Sequence, residues 1–111
     1  MSLNIYLYEP RGDGDHVTLY DANITHNLNG MAGRAGIYKA MWRPKEINAT
    51  QAKDIIEIIE NGLAALKKDP DVFRKYDSTN GWGTYDQFVP FVEQYLEALK
   101  EYPESMIRVS R

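Results

Sequence analysis

Cysteine is absent from all 111 residues, which excludes disulfides and thiolate metal sites and suits a reducing compartment. Histidine is scarce. His16 and His26 stand ten positions apart, not at the i, i+4 spacing by which one helix face offers two imidazoles to a metal. Asp13 and Asp15 share a glycine-rich turn but lack the remainder of a calcium loop. No apolar run approaches the roughly 18 residues of a membrane span, and no basic-then-apolar leader opens the chain. The expectation is a cytoplasmic protein without metal, cofactor or membrane partner. One more absence is local: between Ala22 and Lys45 there is no acidic residue, while Arg34, Lys39, Arg43, Lys45 and His26 all fall there. From Glu46 onward acids outnumber bases twelve to eight, so the net charge of −3 conceals a basic segment in an acidic chain. That net charge argues against general nucleic-acid binding, which rests on a basic face.

What is present reads as one domain over residues 1–111, long enough to bury roughly two thirds of the surface its unfolded chain exposes. Residues 4–8 are rich in β-branched and aromatic types and alternate Ile5 and Leu7 against Asn4, Tyr6 and Tyr8, the pattern of a strand with one buried face. Gly12-Asp13-Gly14-Asp15 reverses the chain, and residues 16–20 supply a second strand of a hairpin with a looped turn. A short helix is expected to begin near Asn23 or Thr25, either of which can cap it, with Ile24, Leu28, Met31 and Ala35 on its inner face. Gly30 and Gly33 weaken that helix by about 1 kcal/mol each relative to alanine, and Gly36 is placed to end it. Residues 37–42 form a further turn before Arg43-Pro44 breaks it.

The second helix carries the stripe Ala52, Ile55, Ile56, Ile59, Leu63 and Leu66, with Asn48 and Gln51 read as its capping box, and it stops before Pro70. Residues 70–76 form a short helical turn and residues 78–83 a glycine-rich loop. Thr84 and Gln87 box the start of a third helix, whose buried face runs through Phe88, Phe91, Val92, Tyr95, Leu96, Leu99 and Tyr102 and which Pro90 should kink. Residues 106–109 make a last strand able to pair with the first. The fold class is therefore α+β: about three helices on one face of a small, mainly antiparallel sheet of two to three strands, built from the N-terminal hairpin and the C-terminal strand.

Familiar short motifs carry little. Arg11-Gly12-Asp13 is three turn residues in a hairpin loop, and Asn23-Ile24-Thr25 and Asn48-Ala49-Thr50 fit helix capping better than glycosylation. No serine sits in a glycine-flanked nucleophile turn, and no catalytic residue is identified. One constellation stands out. If the first helix runs from residue 23, Asn23, Asn27, Gly30 and Arg34 recur at four, three and four on one face. Amides offer donors and acceptors, the guanidinium offers a fork for carboxylate or phosphate, and a glycine floor lets a ligand approach the backbone. His26 adds a group that exchanges protons near neutral pH, and Arg43 and Trp82 stand on loops able to border the site.

The run Asn23-Ile24-Thr25-His26-Asn27-Leu28 is followed by Met31-Ala32, Ala35-Gly36-Ile37-Tyr38 and Trp42-Arg43-Pro44, then by Gly81-Trp82-Gly83-Thr84-Tyr85, Phe88-Val89 and Val109-Ser110-Arg111. This series resembles a family of short, mostly uncharacterised proteins of bacterial and phage genomes, over about residues 20 to 111. The resemblance implies a bacterial or phage origin and transfers no catalytic residue. The leading expectation is a non-enzymatic binding module for a small anionic or polar ligand, a nucleotide among the candidates, held by Asn23, His26, Asn27, Arg34, Arg43 and Trp82. Two alternatives belong to other classes: a protein-interaction or inhibitor domain docking a host protein through the basic 22–45 segment, and a hydrolase or transferase with His26 as general base.

Overall fold

A computed structural model describes residues 1–111. Alternation in the first strand does what its pattern requires: in β1 (Ser2–Pro10) Leu3, Ile5 and Leu7 are fully buried, while Asn4, Tyr6 and Tyr8 on the opposite face stay partly exposed. β1 pairs antiparallel with β2 (His16–Thr25) on one side and with β3 (Met106–Ser110) on the other, giving the order β2-β1-β3. The sheet joins the two chain ends, as expected. The ladder with β2 shifts between Leu7 and Tyr8, where Leu19 is the extra residue of a bulge. Ser2 and Leu3, which promise little in sequence, belong to the central strand, and Leu3 is part of the core.

β2 is longer than its expected span. Asn23 and Ile24 stay in the ladder opposite Asn4 and Leu3, and Thr25 opposite Ser2, so the helical periodicity proposed from residue 23 does not exist. The physical reason is that long-range pairing satisfies the backbone of these three residues, and β-branched Ile24 and Thr25 fit a pleated surface better than a helix. Only Thr25 acts as a cap. Its Oγ1 accepts the Asn27 N–H at 3.2 Å and starts a 3₁₀ turn, His26–Leu28, that leads into α1 (Asn29–Arg34). Gly36, at φ +80°, ends α1: its N–H bonds Gly33 C=O at 3.1 Å and the Ile37 N–H bonds Ala32 C=O at 2.9 Å, the paired closure that a left-handed residue permits. α2 (Tyr38–Trp42) then runs to the break at Arg43-Pro44.

A second capping assignment also moves. Asn48 is left-handed (φ 58°) and closes a 3₁₀ turn, Pro44–Ile47, and the capping box belongs instead to Gln51 and Asp54. Asp54 Oδ2 accepts the N–H groups of Thr50 and Gln51, each at 3.0 Å, because a carboxylate three residues into the turn reaches both free amides. These two backbone bonds, Gln51 first, hold the Asp54 carboxyl below its usual range. The long stripe follows as the 3₁₀ turn Ala52–Asp54 and α3 (Ile56–Lys68), with Ala52, Ile55, Ile59 and Leu66 buried and Ile56 and Leu63 at the margin. α4 (Pro70–Arg74) is the expected short element. α5 (Tyr85–Glu101) starts at the Thr84–Gln87 box and continues as helix through Pro90, which is exposed.

Five helices thus pack against the sheet, and one core holds them together, in which Leu3, Ile5 and Leu7 join Leu28, Met31, Trp42, Ile55, Phe88, Val92 and Tyr95. No helix is long and apolar enough to cross a membrane. The other face of the sheet carries Asn4, Tyr6, Tyr8, Asn23 and Arg108, all at least partly exposed.

Candidate functional site

The Thr25–Asn27 turn meets the 78–83 loop, far from it in sequence. The loop is tightened from within by Ser78 N–H to Gly83 C=O (3.0 Å), Gly81 N–H to Ser78 C=O (3.2 Å) and Trp82 N–H to Asn80 Oδ1 (2.9 Å). Asn27 Nδ2 then donates to Trp82 C=O at 2.8 Å across the chain. Gly83, at φ +107°, is the point of closest approach: a Cβ there would stand 2.9 Å from Asn27 Cβ and 3.1 Å from Thr25 Cγ2. Only glycine meets both demands, a left-handed backbone and no side chain. The Gln87 side chain of the α5 box also accepts the Gly83 N–H at 2.9 Å, so the loop is pinned at both ends.

Beside this clasp lies an open depression of about 510 Å³, lined by Ser2, Asn23, Thr25, His26, Asn27 and Trp82 together with Met1. Four of the six expected site residues therefore meet, but through a strand end and a loop, not along a helix. Much of their polarity is already used. Asn23 Nδ2 donates to Ser2 Oγ and to Asn4 Oδ1, both at 2.8 Å, and so braces the first strand pair. His26 Nδ1 accepts the indole N–H of buried Trp42 at 2.9 Å. Because an indole can only donate, this bond assigns the imidazole proton to Nε2 in the neutral ring. His26 thus lines the depression with its Nδ1 lone pair already engaged by Trp42. Trp82 is the opposite case: its backbone is held, yet its side chain belongs to a residue that is 73% exposed.

The other two expected residues lie elsewhere. Arg34 is exposed at the end of α1, outside the depression, and has no ion-pair partner; the helical face that would have aligned it with Asn23 is interrupted by β2. Gly30 is not a ligand floor either: it lies outside the depression, with the Tyr76 ring 3.4 Å from where a Cβ would stand. Arg43 donates through Nε to Tyr38 Oη at 3.0 Å and through Nη1 to Glu46 Oε2 at 3.3 Å. It lines a different concavity of about 390 Å³, shared with Tyr8, Lys45, Arg108 and Arg111. Lys45 counts in the basic 22–45 segment, whereas Tyr8, Arg108 and Arg111 receive no site role from the sequence. The available signal was strand alternation, which sets Arg108 beside Tyr6 once the first and last strands pair; its guanidinium carbon lies 4.9 Å from the Tyr6 ring centroid.

No group of three or more histidine, aspartate or glutamate side chains is gathered as a metal site would need. Set beside known proteins, the chain matches no protein-family model, no curated protein and no solved structure.

Proposed function

We propose that this protein is a non-enzymatic cytoplasmic binding module whose depression beside Trp82 takes a small polar ligand with a flat face, a nucleobase or nucleoside being the chemical type. The observation that carries the reading is Trp82 itself, a 73% exposed ring on a loop whose backbone is fastened on three sides. On a fastened backbone only the two side-chain torsions of the indole are left to fix when a planar ligand stacks on it, and stacking on an aromatic ring is worth about 1–3 kcal/mol per base. His26 offers a donor to the edge of such a ligand, and Asn27 keeps its Oδ1 as an acceptor. The anionic part of the original expectation has less support here, because Arg34 and Arg43 lie outside the depression. A bacterial or phage origin belongs to the same proposal and rests on the sequence resemblance alone.

The test is a titration with nucleosides and nucleotides, followed by tryptophan fluorescence and by melting temperature. Trp42 is buried, so quenching that disappears in Trp82→Phe reports the exposed ring. Unchanged fluorescence and an unchanged melting temperature across the whole series would sink the proposal.

A further inference from the structure

β3 is paired along one side only. Alternation in the antiparallel ladder turns the N–H and C=O groups of Met106, Arg108 and Ser110 toward β1 and those of Ile107 and Val109 away from it. A short bridge covers the start of this outer edge, where the Ile107 N–H donates to Thr50 C=O and the Ala52 N–H to Ser105 C=O, both at 2.9 Å. There the covering stops. Thr50 turns its own N–H to Asp54, leaving Ile107 C=O without a partner, and nothing in the chain pairs with the N–H or C=O of Val109. These groups face the 390 Å³ groove between β3 and the 43–50 segment.

The groove has a consistent chemistry. Pro44 and Ala49 are buried in its lining, opposite Ile107 and Val109, so a small apolar side chain finds matching surface there. Lys45, Arg108 and Arg111 also line it, all exposed, and none has a carboxylate within ion-pairing distance. Its one acid, Glu46, is already shared by Arg43 at 3.3 Å and Lys39 at 3.7 Å. An open strand edge ordinarily invites a second copy of itself, and charge is the usual defence. Pairing β3 with another β3 would bring arginines of both copies to one edge. An incoming strand with carboxylates meets the reverse situation.

We infer that β3 receives an extended acidic segment of a partner protein as a fourth strand of the sheet. Main-chain bonds to Ile107 C=O and to Val109 supply the attachment, carboxylates opposite Arg108 and near Lys45 supply the choice of partner, and alternate small apolar side chains enter the groove. This surface is separate from the depression at Trp82, and the inference holds or fails independently of the ligand proposed there.

The probe is a rhodamine-labelled, end-blocked heptapeptide alternating glutamate and valine, followed by fluorescence anisotropy at low and moderate salt. Saturable binding that weakens with salt is expected, with a loss of about tenfold or more in Lys45→Glu/Arg108→Glu. The same peptide methylated on alternate backbone nitrogens should lose about tenfold, the effect of one or two main-chain bonds. Should the reversed variant unfold by circular dichroism, Lys45→Gln/Arg108→Gln replaces it, with a smaller loss in the same direction. Absence of binding to the unmodified peptide overturns the inference, as does equal binding of the methylated peptide, which would mean charge without strand addition. A heptathymidine strand that binds as tightly would also overturn it, because the groove would then read phosphate rather than an acidic strand.

Discussion

The depression beside Trp82 and the groove along β3 flank the same central strand, yet they treat polar groups in opposite ways. At the depression, Asn23, Asn27 and the Nδ1 of His26 are engaged within the chain, and what remains for a ligand is chiefly one exposed ring. Along β3, backbone groups remain unpaired and three cations remain without a carboxylate partner. An asparagine or histidine that looks available in sequence is short enough to be recruited by neighbouring backbone, whereas lysine and arginine on an edge keep their charge in water. Residues that looked most like a ligand site thus proved to be partly a clasp, and the freer chemistry lies with Lys45, Arg108 and Arg111, none of which was nominated for that ligand site.

Substitutions can pull the two regions apart. The largest effect is expected at Gly83→Ala, where the new Cβ meets Asn27 and Thr25 and the backbone is left-handed at φ +107°. A loss of about 2–4 kcal/mol in urea denaturation should result, combining about 1–3 kcal/mol for each of backbone strain and overpacking without full additivity. Acidic-peptide binding per folded molecule should stay as it was. A wild-type midpoint would show that the clasp carries no tension.

Asn27→Ala comes next, with about 1 kcal/mol lost from the bond to Trp82 C=O. Its sharper readout is Trp82 itself, whose fluorescence anisotropy should fall once the loop loosens; an unchanged anisotropy would mean that the internal turn alone holds the ring.

Asp54→Asn tests the groove side, because Asp54 binds the Thr50 and Gln51 amides that form its wall. A loss of about 1 kcal/mol is expected at neutral pH, the usual worth of a capping group. The pH dependence has a definite sign. The two backbone bonds hold the carboxyl below the usual carboxylate range when folded, so its contribution is complete above that range and declines as pH falls through the lower, folded value. Because the group is exposed, the acid-dependent part is well under the capping energy. Parallel wild-type and variant stabilities down to pH 3 would refute this account.

Smaller still is Tyr95→Phe. The Tyr95 hydroxyl is buried without a hydrogen-bond partner, and burial, with a lesser contribution from Tyr20, pushes its pKa upward. Removing it should leave stability unchanged or raise it by up to about 1 kcal/mol, while the packing of the ring with Tyr20 persists. Trp82→Ala should alter the melting free energy least, within about 0.5 kcal/mol, since the ring is exposed. A large loss there would make Trp82 a structural residue and remove the reason to assign it a ligand.

Much of this architecture can be read without coordinates. The buried Ile5 and Leu7, the Thr84–Gln87 box, the stop at Gly36 and the stripe of α3 all rest on interactions spanning two to four residues, so their signals lie side by side in the chain. The candidate site was half legible for the same reason. Asn23, His26, Asn27 and Trp82 do gather, but the helical spacing that aligned Asn23 and Asn27 with Arg34 is absent, because the pairing of Asn23 with Asn4 is invisible to a periodicity.

Local pattern therefore sufficed for the strand faces, the helix ends at Gly36 and Thr84 and the α+β class, where propensity, capping and alternation agree. Long-range pairing settled the remainder: β2 extends through Thr25, the Trp82 loop fastens on Asn27, and one edge of β3 stays open. These pairings join groups 19 to 106 positions apart, and such contacts depend on closing the chain upon itself, which no short window of residues contains.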